Sequence, residues 1–152
     1  MPERFARTLS GRFARTLSGR AARTIIAFDF GLKRIGVAVG EPELGTAHPL
    51  PAVEGFSQIE KLVLEWQPAR FVVGLPVAER GAHPLARRAE RFARQLEGRY
   101  RLPVALVDER FTSVEAESRL KAAGMKSPIK KNIDSMAAQL ILEQYFNDHA
   151  PA

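Results

Sequence analysis

The fold of this chain is decided by residues 25–40, which read IIAFDFGLKRIGVAVG. Two apolar runs flank a short polar tip at 31–34, and this pattern predicts a β-hairpin. Ile25, Ala27 and Asp29 lie on one face of the first strand because successive side chains alternate. The strand therefore brings a carboxylate to the core or its rim, where it requires a partner or a cation. A turn acid that simply ends the strand is the alternative interpretation.

The remainder of the chain alternates between helix and strand patterns. A three-stranded meander followed by alternating helices and strands predicts an α/β fold, with a mixed five-stranded sheet and helices on both faces. In such sheets the binding crevice lies outside the carboxyl ends of the parallel strands. The apolar periodicity predicts strands at 24–30, 35–40, within 46–53, 71–75 and 103–108, helices at 56–67, 83–98, 113–123 and 133–147, and a polar basic loop at 125–132.

Carboxylates occur at two further places that this architecture would bring to the same crevice. Asp108 and Glu109 end the fifth strand, and the pattern leaves open which of them faces the crevice, because adjacent residues point to opposite faces. Asp134 is either the N-cap of the last helix or, since it shares a stripe with Ala138 and Ile141, a residue held toward the sheet. Three acids on separate elements predict a cluster of Mg²⁺ or Mn²⁺ ions, and two such ions support phosphodiester hydrolysis.

Composition argues against several other classes of protein. The 152 residues suffice for one domain with a sizeable core. The chain has no cysteine and only three scattered histidines, which argues against a zinc site. No run approaches the roughly 18 apolar residues of a membrane span, so we expect no membrane partner. The absence of cysteine fits a reducing cytoplasm.

The net charge of +6 is concentrated near the N-terminus. Residues 1–24 contain six arginines and one acid, and the segment RFARTLSG at 4–11 is repeated at 12–19. We interpret residues 1–23 as a flexible basic appendage that can be removed without loss of the fold. A phosphate-binding tail and a targeting peptide are the alternatives. Residues 24–149 are then the folded domain.

Basic residues lie close to the three acids in the sequence and are candidates for contact with nucleic-acid phosphates. Such contacts would weaken as salt rises and would give little sequence selectivity. The candidates are in the hairpin tip, beside the fifth strand and in the loop before the last helix: Lys33, Arg34, Arg110, Lys126, Lys130 and Lys131.

Four motifs in this order resemble the YqgF family, also called RuvX-type, of bacterial RNase H-like proteins. They are FDFGLKRIGVAVG at 28–40, VGLP at 73–76, DERFTS at 108–113 and DSMAA at 134–138. The resemblance covers about residues 24–147 and leaves the appendage outside.

The resemblance implies an RNase H-like nuclease domain in which Asp29, Glu109 and Asp134 are the catalytic, metal-binding residues. It favours Glu109 over Asp108, which the strand pattern left open. It further implies a Mg²⁺- or Mn²⁺-dependent enzyme of ribosome biogenesis that trims the 5′ end of precursor 16S rRNA in the bacterial cytoplasm, as a monomer or homodimer.

Other functions are consistent with the same residues. The same chemistry would serve a Holliday junction resolvase acting on branched DNA, and a non-catalytic rRNA-binding assembly factor is a third hypothesis. An ATP-handling protein would need two such domains and a longer chain. The segment VAERGA at 77–82 replaces the LNMDGT usual in the family, so we expect an altered substrate preference there.

Overall fold

The computed structural model describes residues 23–76, 83–109 and 130–149, with the backbone alone for 130–134. In these ranges five strands form one sheet, and three helices cover its two faces. They are β1 (Ile25–Asp29), β2 (Ile35–Glu41), β3 (Thr46–Val53), α1 (Phe56–Trp66), β4 (Arg70–Pro76), α2 (Ala86–Tyr100), β5 (Val104–Glu109) and α3 (Lys130–Asp148). None of the described helices is both long and apolar enough to span a membrane.

The strand order is β3-β2-β1-β4-β5. β1, β2 and β3 form an antiparallel meander, whereas β4 is parallel to both β1 and β5. The prediction of a mixed five-stranded sheet is therefore confirmed. Because β1, β4 and β5 run in one direction, their carboxyl ends share one edge of the sheet, which we call the carboxyl edge. Asp29 and Glu109 are the last residues of β1 and β5.

The strand bounds follow the apolar patterns closely, even in β3. This strand extends through Pro49 and Pro51. It lies at the edge of the sheet and pairs only with β2 among the described strands. A residue without an N–H is tolerated in an edge strand, since only one side of the backbone has to donate to a neighbour.

The helix starts differ more from the sequence predictions. α2 begins at Ala86 rather than 83, because the His83 Nδ1 accepts the Leu85 N–H and forms a turn before the helix. α3 begins at Lys130 rather than 133, so the loop prediction is wrong for 130–132. Lysine is a good helix former, but it gives no apolar periodicity from which to place a helix start. The predicted helix at 113–123 and the rest of the predicted loop lie outside the described residues.

Two apolar layers hold the sheet between its helices. On one face, buried residues such as Phe28 and Phe71 pack beneath α1 and α2, where Phe92 meets the Phe28 ring edge-on at 5.5 Å. On the other face, α3 lies across β1, β2 and β4, with Ala138 and Ile141 fully buried. Alternation along β1 puts Asp29 on this second face, with Ala27.

Candidate metal and nucleic-acid site

Asp29 is held between two glycines at the carboxyl edge. In the register of the sheet it lies opposite Gly36 on β2 and opposite Gly74 on β4. Paired residues project to the same face of a sheet, so no neighbouring side chain stands beside the Asp29 carboxylate in its own row. Asp29 is half-buried as a residue and makes at least one interaction with another group. The local sequence therefore fixes the backbone of this acid and leaves space beside it.

Glu109 occupies part of that space. A β-carbon built on Gly74 would lie 2.6 Å from the Glu109 Oε2 atom, so the carboxylate lies directly above this glycine. Glu109 shares a face with Val107, which packs in the α3 layer. Asp108 points to the opposite face and is exposed. The alternative that the strand pattern left open is thus answered geometrically, since Glu109 and not Asp108 faces Asp29.

The Glu109 carboxylate lies about one strand spacing from the row of Asp29. β1 and β5 are two strand spacings apart, about 10 Å, but the Glu109 side chain reaches back over β4. The remaining gap to the Asp29 row is about one strand spacing, or ~5 Å. Mg²⁺ binds carboxylate oxygens at about 2 Å. The Asp29 and Glu109 side chains offer carboxylate oxygens, which are the donors that Mg²⁺ and Mn²⁺ prefer.

Asp134 is the fifth residue of α3, so its interpretation as an N-cap is wrong. α3 runs antiparallel to β1 and β4, because the Ser135 hydroxyl bonds to the Leu50 carbonyl while Tyr145 reaches Arg70 at the start of β4. Its N-terminal end therefore lies toward the carboxyl edge. The side chain of Asp134 is outside the described residues.

The predicted triad is thus described for two of its three members. Asp29 and Glu109 both lie at the carboxyl edge, and the Glu109 carboxylate lies above Gly74, which pairs with Asp29. Position 134 lies seven residues before Ile141, which is about 10 Å along the helix. The Ile141 tip itself lies over Gly74. Among the side chains that the structure describes, no three His, Cys, Asp or Glu residues are close enough to hold a metal ion.

The predicted phosphate contacts are partly described. Lys33 and Arg34 lie in the hairpin tip that follows Asp29; Lys33 is exposed, and Arg34 is half-buried and engaged with another group. Lys130 and Lys131 are in the first turn of α3, where only the backbone is described. The other two candidates, Arg110 and Lys126, are outside the described ranges.

Gly74 lies beneath the candidate ligand Glu109, a position that the sequence reasoning did not single out. It interrupts the apolar strand FVVGLP, and a side chain there would meet both Glu109 and Ile141. The available signal was the glycine itself, because a glycine inside a strand often marks a close approach of another group.

A five-stranded sheet in this order, with helices on both faces and acids at the carboxyl edge, defines an RNase H-like α/β protein. A solved structure of this class, "T. thermophilus RuvC in complex with Holliday junction substrate", has a TM-score of 0.50 and 12% sequence identity. The match covers 82% of this chain and 94% of that chain, and a likeness at this identity shows the fold alone. A sequence model described as "RuvX: Holliday junction resolvase" matches residues 23–148. The chain belongs to the RuvX family.

Curated relatives match most of the chain. A protein of Methylobacillus flagellatus is 48% identical over 131 residues, covering 81% of this chain and 90% of its own length. One of Thiobacillus denitrificans is 49% identical with the same coverage. One of Neisseria meningitidis is 50% identical over 129 residues, covering 80% of this chain and 85% of its own. Each is named "Putative pre-16S rRNA nuclease".

Proposed function

We propose that this protein is a divalent-cation-dependent nuclease that processes the 5′ end of precursor 16S rRNA in the bacterial cytoplasm. Asp29, Glu109 and Asp134 are its proposed catalytic and metal-binding residues. The position of the Glu109 carboxylate above Gly74, one strand from Asp29, is the observation that carries the proposal. Membership of the RuvX family and the names of the curated relatives support the choice of reaction and substrate.

The proposed chemistry requires carboxylates held in fixed positions and does not require a side chain that acts as a general acid or base. Bound Mg²⁺ or Mn²⁺, as a pair, would polarise the scissile phosphate and make water a stronger nucleophile. The role of the protein is to hold the oxygen donors in fixed positions. Asp29 is held by strand pairing on both sides, and Glu109 reaches over a residue that has no side chain. Asp134, on α3, would supply the third carboxylate ligand.

The proposed phosphate contacts lie around the same edge and comprise Lys33, Arg34, Arg110, Lys126, Lys130 and Lys131. The α3 terminus supports this assignment, because its first turn contains two lysines and no acid. Cations at the positive end of a helix dipole are unfavourable, and a phosphate bound there would offset the repulsion. Binding should therefore weaken steeply as salt is raised.

The test compares Asp29→Asn and Glu109→Gln with the matched control Asp108→Asn. Mn²⁺-dependent cleavage of a precursor 16S rRNA leader is measured, with thermal melting to verify folding. The two site variants should lose at least about 100-fold in rate, since each removes a charged ligand worth several kcal/mol in the transition state. Asp108→Asn should retain the wild-type rate. Wild-type cleavage by a folded Asp29→Asn protein would contradict the proposed site.

A Holliday junction resolvase is the second candidate, because the family model carries that description. Parallel assays on the rRNA leader and on a four-way DNA junction distinguish the two substrates. Faster cleavage of the junction would favour the resolvase. Restoration of rRNA maturation in cells by Asp29→Asn would instead favour a non-catalytic assembly factor.

A further inference from the structure

A second concave site lies at the edge of the sheet opposite the carboxylates. It has a volume of about 420 Å³ and lies between the first residues of β1 and β4, the β2–β3 turn and the end of α3. We call it the arginine cleft. Arg70 is four residues before Gly74 on β4, so the cleft is about 13 Å from the carboxyl edge. Its lining includes Arg23, Ile25, Gly45, Arg70, Tyr145 and His149.

Arg70 is a half-buried cation whose hydrogen-bond partner is a hydroxyl group. Its Nη1 donates to the Tyr145 hydroxyl oxygen at 2.9 Å, and no carboxylate among the described residues forms an ion pair with it. A guanidinium group has five N–H donors, and the bond to Tyr145 uses one of them. A cation partly removed from water is unfavourable unless a negative group compensates it. An anion in the cleft would supply that compensation.

The rim of the cleft adds positive charge. Arg23 Nη1 lies 3.8 Å from the Glu43 Oε2, and the Arg23 side chain is 58% exposed. An exposed pair at that distance is weak, so Arg23 can exchange Glu43 for a stronger anion. The two arginines of the cleft therefore complement a phosphate group.

An aromatic pair forms one wall. The ring of His149 stacks on the ring of Tyr145 at a centroid distance of 4.2 Å and an interplanar angle of 26°. The His149 Nδ1 lies 3.0 Å from the Tyr145 carbonyl oxygen and must be the donor, which fixes the orientation of the imidazole. His149 is itself exposed, so the stack extends to the surface. Nucleic-acid bases bind to platforms of this kind by stacking.

We propose that the arginine cleft binds one nucleotide of a single-stranded nucleic-acid segment, with the phosphate on Arg70 and Arg23 and the base on His149. The site needs no metal ion. The inference deepens the proposed nuclease function and rests on it, since the bound strand would belong to the substrate that is cut at the carboxyl edge. Stacking and phosphate pairing are sequence-tolerant, so the cleft holds the strand without selecting a base.

The test measures binding of a fluorescein-labelled 12-nucleotide single-stranded RNA by anisotropy in EDTA. Arg70→Gln and His149→Ala should each raise Kd at least fivefold, because the first removes the half-buried phosphate contact and the second removes the stacking contact to the base. The control Arg87→Gln removes an equal charge from the exposed face of α2 and should change Kd less than twofold. His149 lies at the exposed end of α3, so its variant remains informative if Arg70→Gln does not fold.

The outcomes separate this site from the nuclease site. The wild-type protein should bind the RNA in EDTA, where no divalent cation is available for cleavage, so the Kd is measured independently of the nuclease reaction. Unchanged Kd in folded Arg70→Gln and His149→Ala would overturn the arginine cleft and leave the nuclease proposal intact. Displacement of the RNA by an equal concentration of uridine monophosphate would also overturn it, since the cleft would then be a site for free nucleotides.

Discussion

Substitution of Gly74 by alanine tests how closely the candidate site is packed. The added methyl would lie 2.6 Å from the Glu109 Oε2 and also too close to the Ile141 Cδ1 atom. Ile141 is fully buried and cannot turn into solvent, whereas Glu109 is only half-buried and can rotate away. The variant should therefore lose stability through Ile141 and lose metal affinity through Glu109.

The magnitudes follow from these two contacts. Overpacking of a buried site costs about 1–3 kcal/mol, so we expect a loss of that size in the free energy of unfolding of Gly74→Ala. Displacement of the Glu109 carboxylate changes a proposed ligand rather than deleting it. We expect the Mn²⁺ concentration for half-maximal cleavage to rise about 10- to 100-fold, the range found when support for a metal ligand is removed.

A second substitution separates the two effects. Ile141→Val removes the clashing Cδ1 atom, and in the wild-type background it should cost about 0.5–1.5 kcal/mol. In the Gly74→Ala background it should cost less or be stabilising, with a coupling energy of about 1 kcal/mol or more. The matched control is Gly98→Ala on α2, where a methyl would meet nothing within 4 Å. It should stabilise the protein by up to about 1 kcal/mol through helix propensity.

Urea denaturation measures the free energies, and Mn²⁺-dependent cleavage of the rRNA leader measures the metal requirement. The Mn²⁺ requirement should stay raised in the double variant, because Glu109 is still displaced. Additive free energies for Gly74→Ala and Ile141→Val would refute the packing argument. An unchanged Mn²⁺ requirement in Gly74→Ala would refute the position of Glu109 as a metal ligand.

Three further predictions concern stability. Burial and, to a smaller extent, the Glu60 charge raise the pKa of Tyr100 above its ordinary value of 10.0. The folded protein therefore keeps a proton that the unfolded chain loses, and the free energy of unfolding should fall above pH 10. Tyr100→Phe should abolish this fall and, since the buried hydroxyl has no hydrogen-bond partner among the described groups, gain about 1 kcal/mol at pH 7 in urea titrations. Ser135→Ala should cost about 1 kcal/mol by urea denaturation, because it removes a buried donor to Leu50, whereas the exposed control Ser57→Ala should change stability little. Removal of residues 1–22 should shift the melting temperature by less than about 2 °C, since the described strands and helices already bury two apolar clusters, and a larger drop would contradict the appendage interpretation.

Most of the sheet could be predicted from the sequence because its signals are local. The alternation along residues 25–40 defines the hairpin, and the continuous apolar run at β4 predicts a buried parallel strand. The start of α3 could not be placed, because the residues that open it have no apolar period. The predicted helix at 113–123 stays a prediction.

The candidate site depended on contacts between distant segments, which local patterns do not contain. The alternation of side chains along a strand shows that Asp108 and Glu109 point to opposite faces of the sheet. It does not show which of these faces α3 covers. That choice depends on Val107 lying in the layer beneath α3. The hydrogen bond from Arg70 to Tyr145 joins residues 75 positions apart, and neither residue type alone predicts it. Asp134 remains a proposed ligand on the basis of its place in α3.

The edge strand β3 has a consequence for self-association. Pro49 and Pro51 have no N–H to offer to an incoming strand. The carbonyls of Ala47 and Leu50 already accept hydrogen bonds from Gln139 and Ser135 of α3. An added strand would therefore lack two backbone donors along this border, which disfavours extension of the sheet through β3 into fibrils. Pairing of β3 with the same strand of a second copy is a disfavoured route to a homodimer for the same reason.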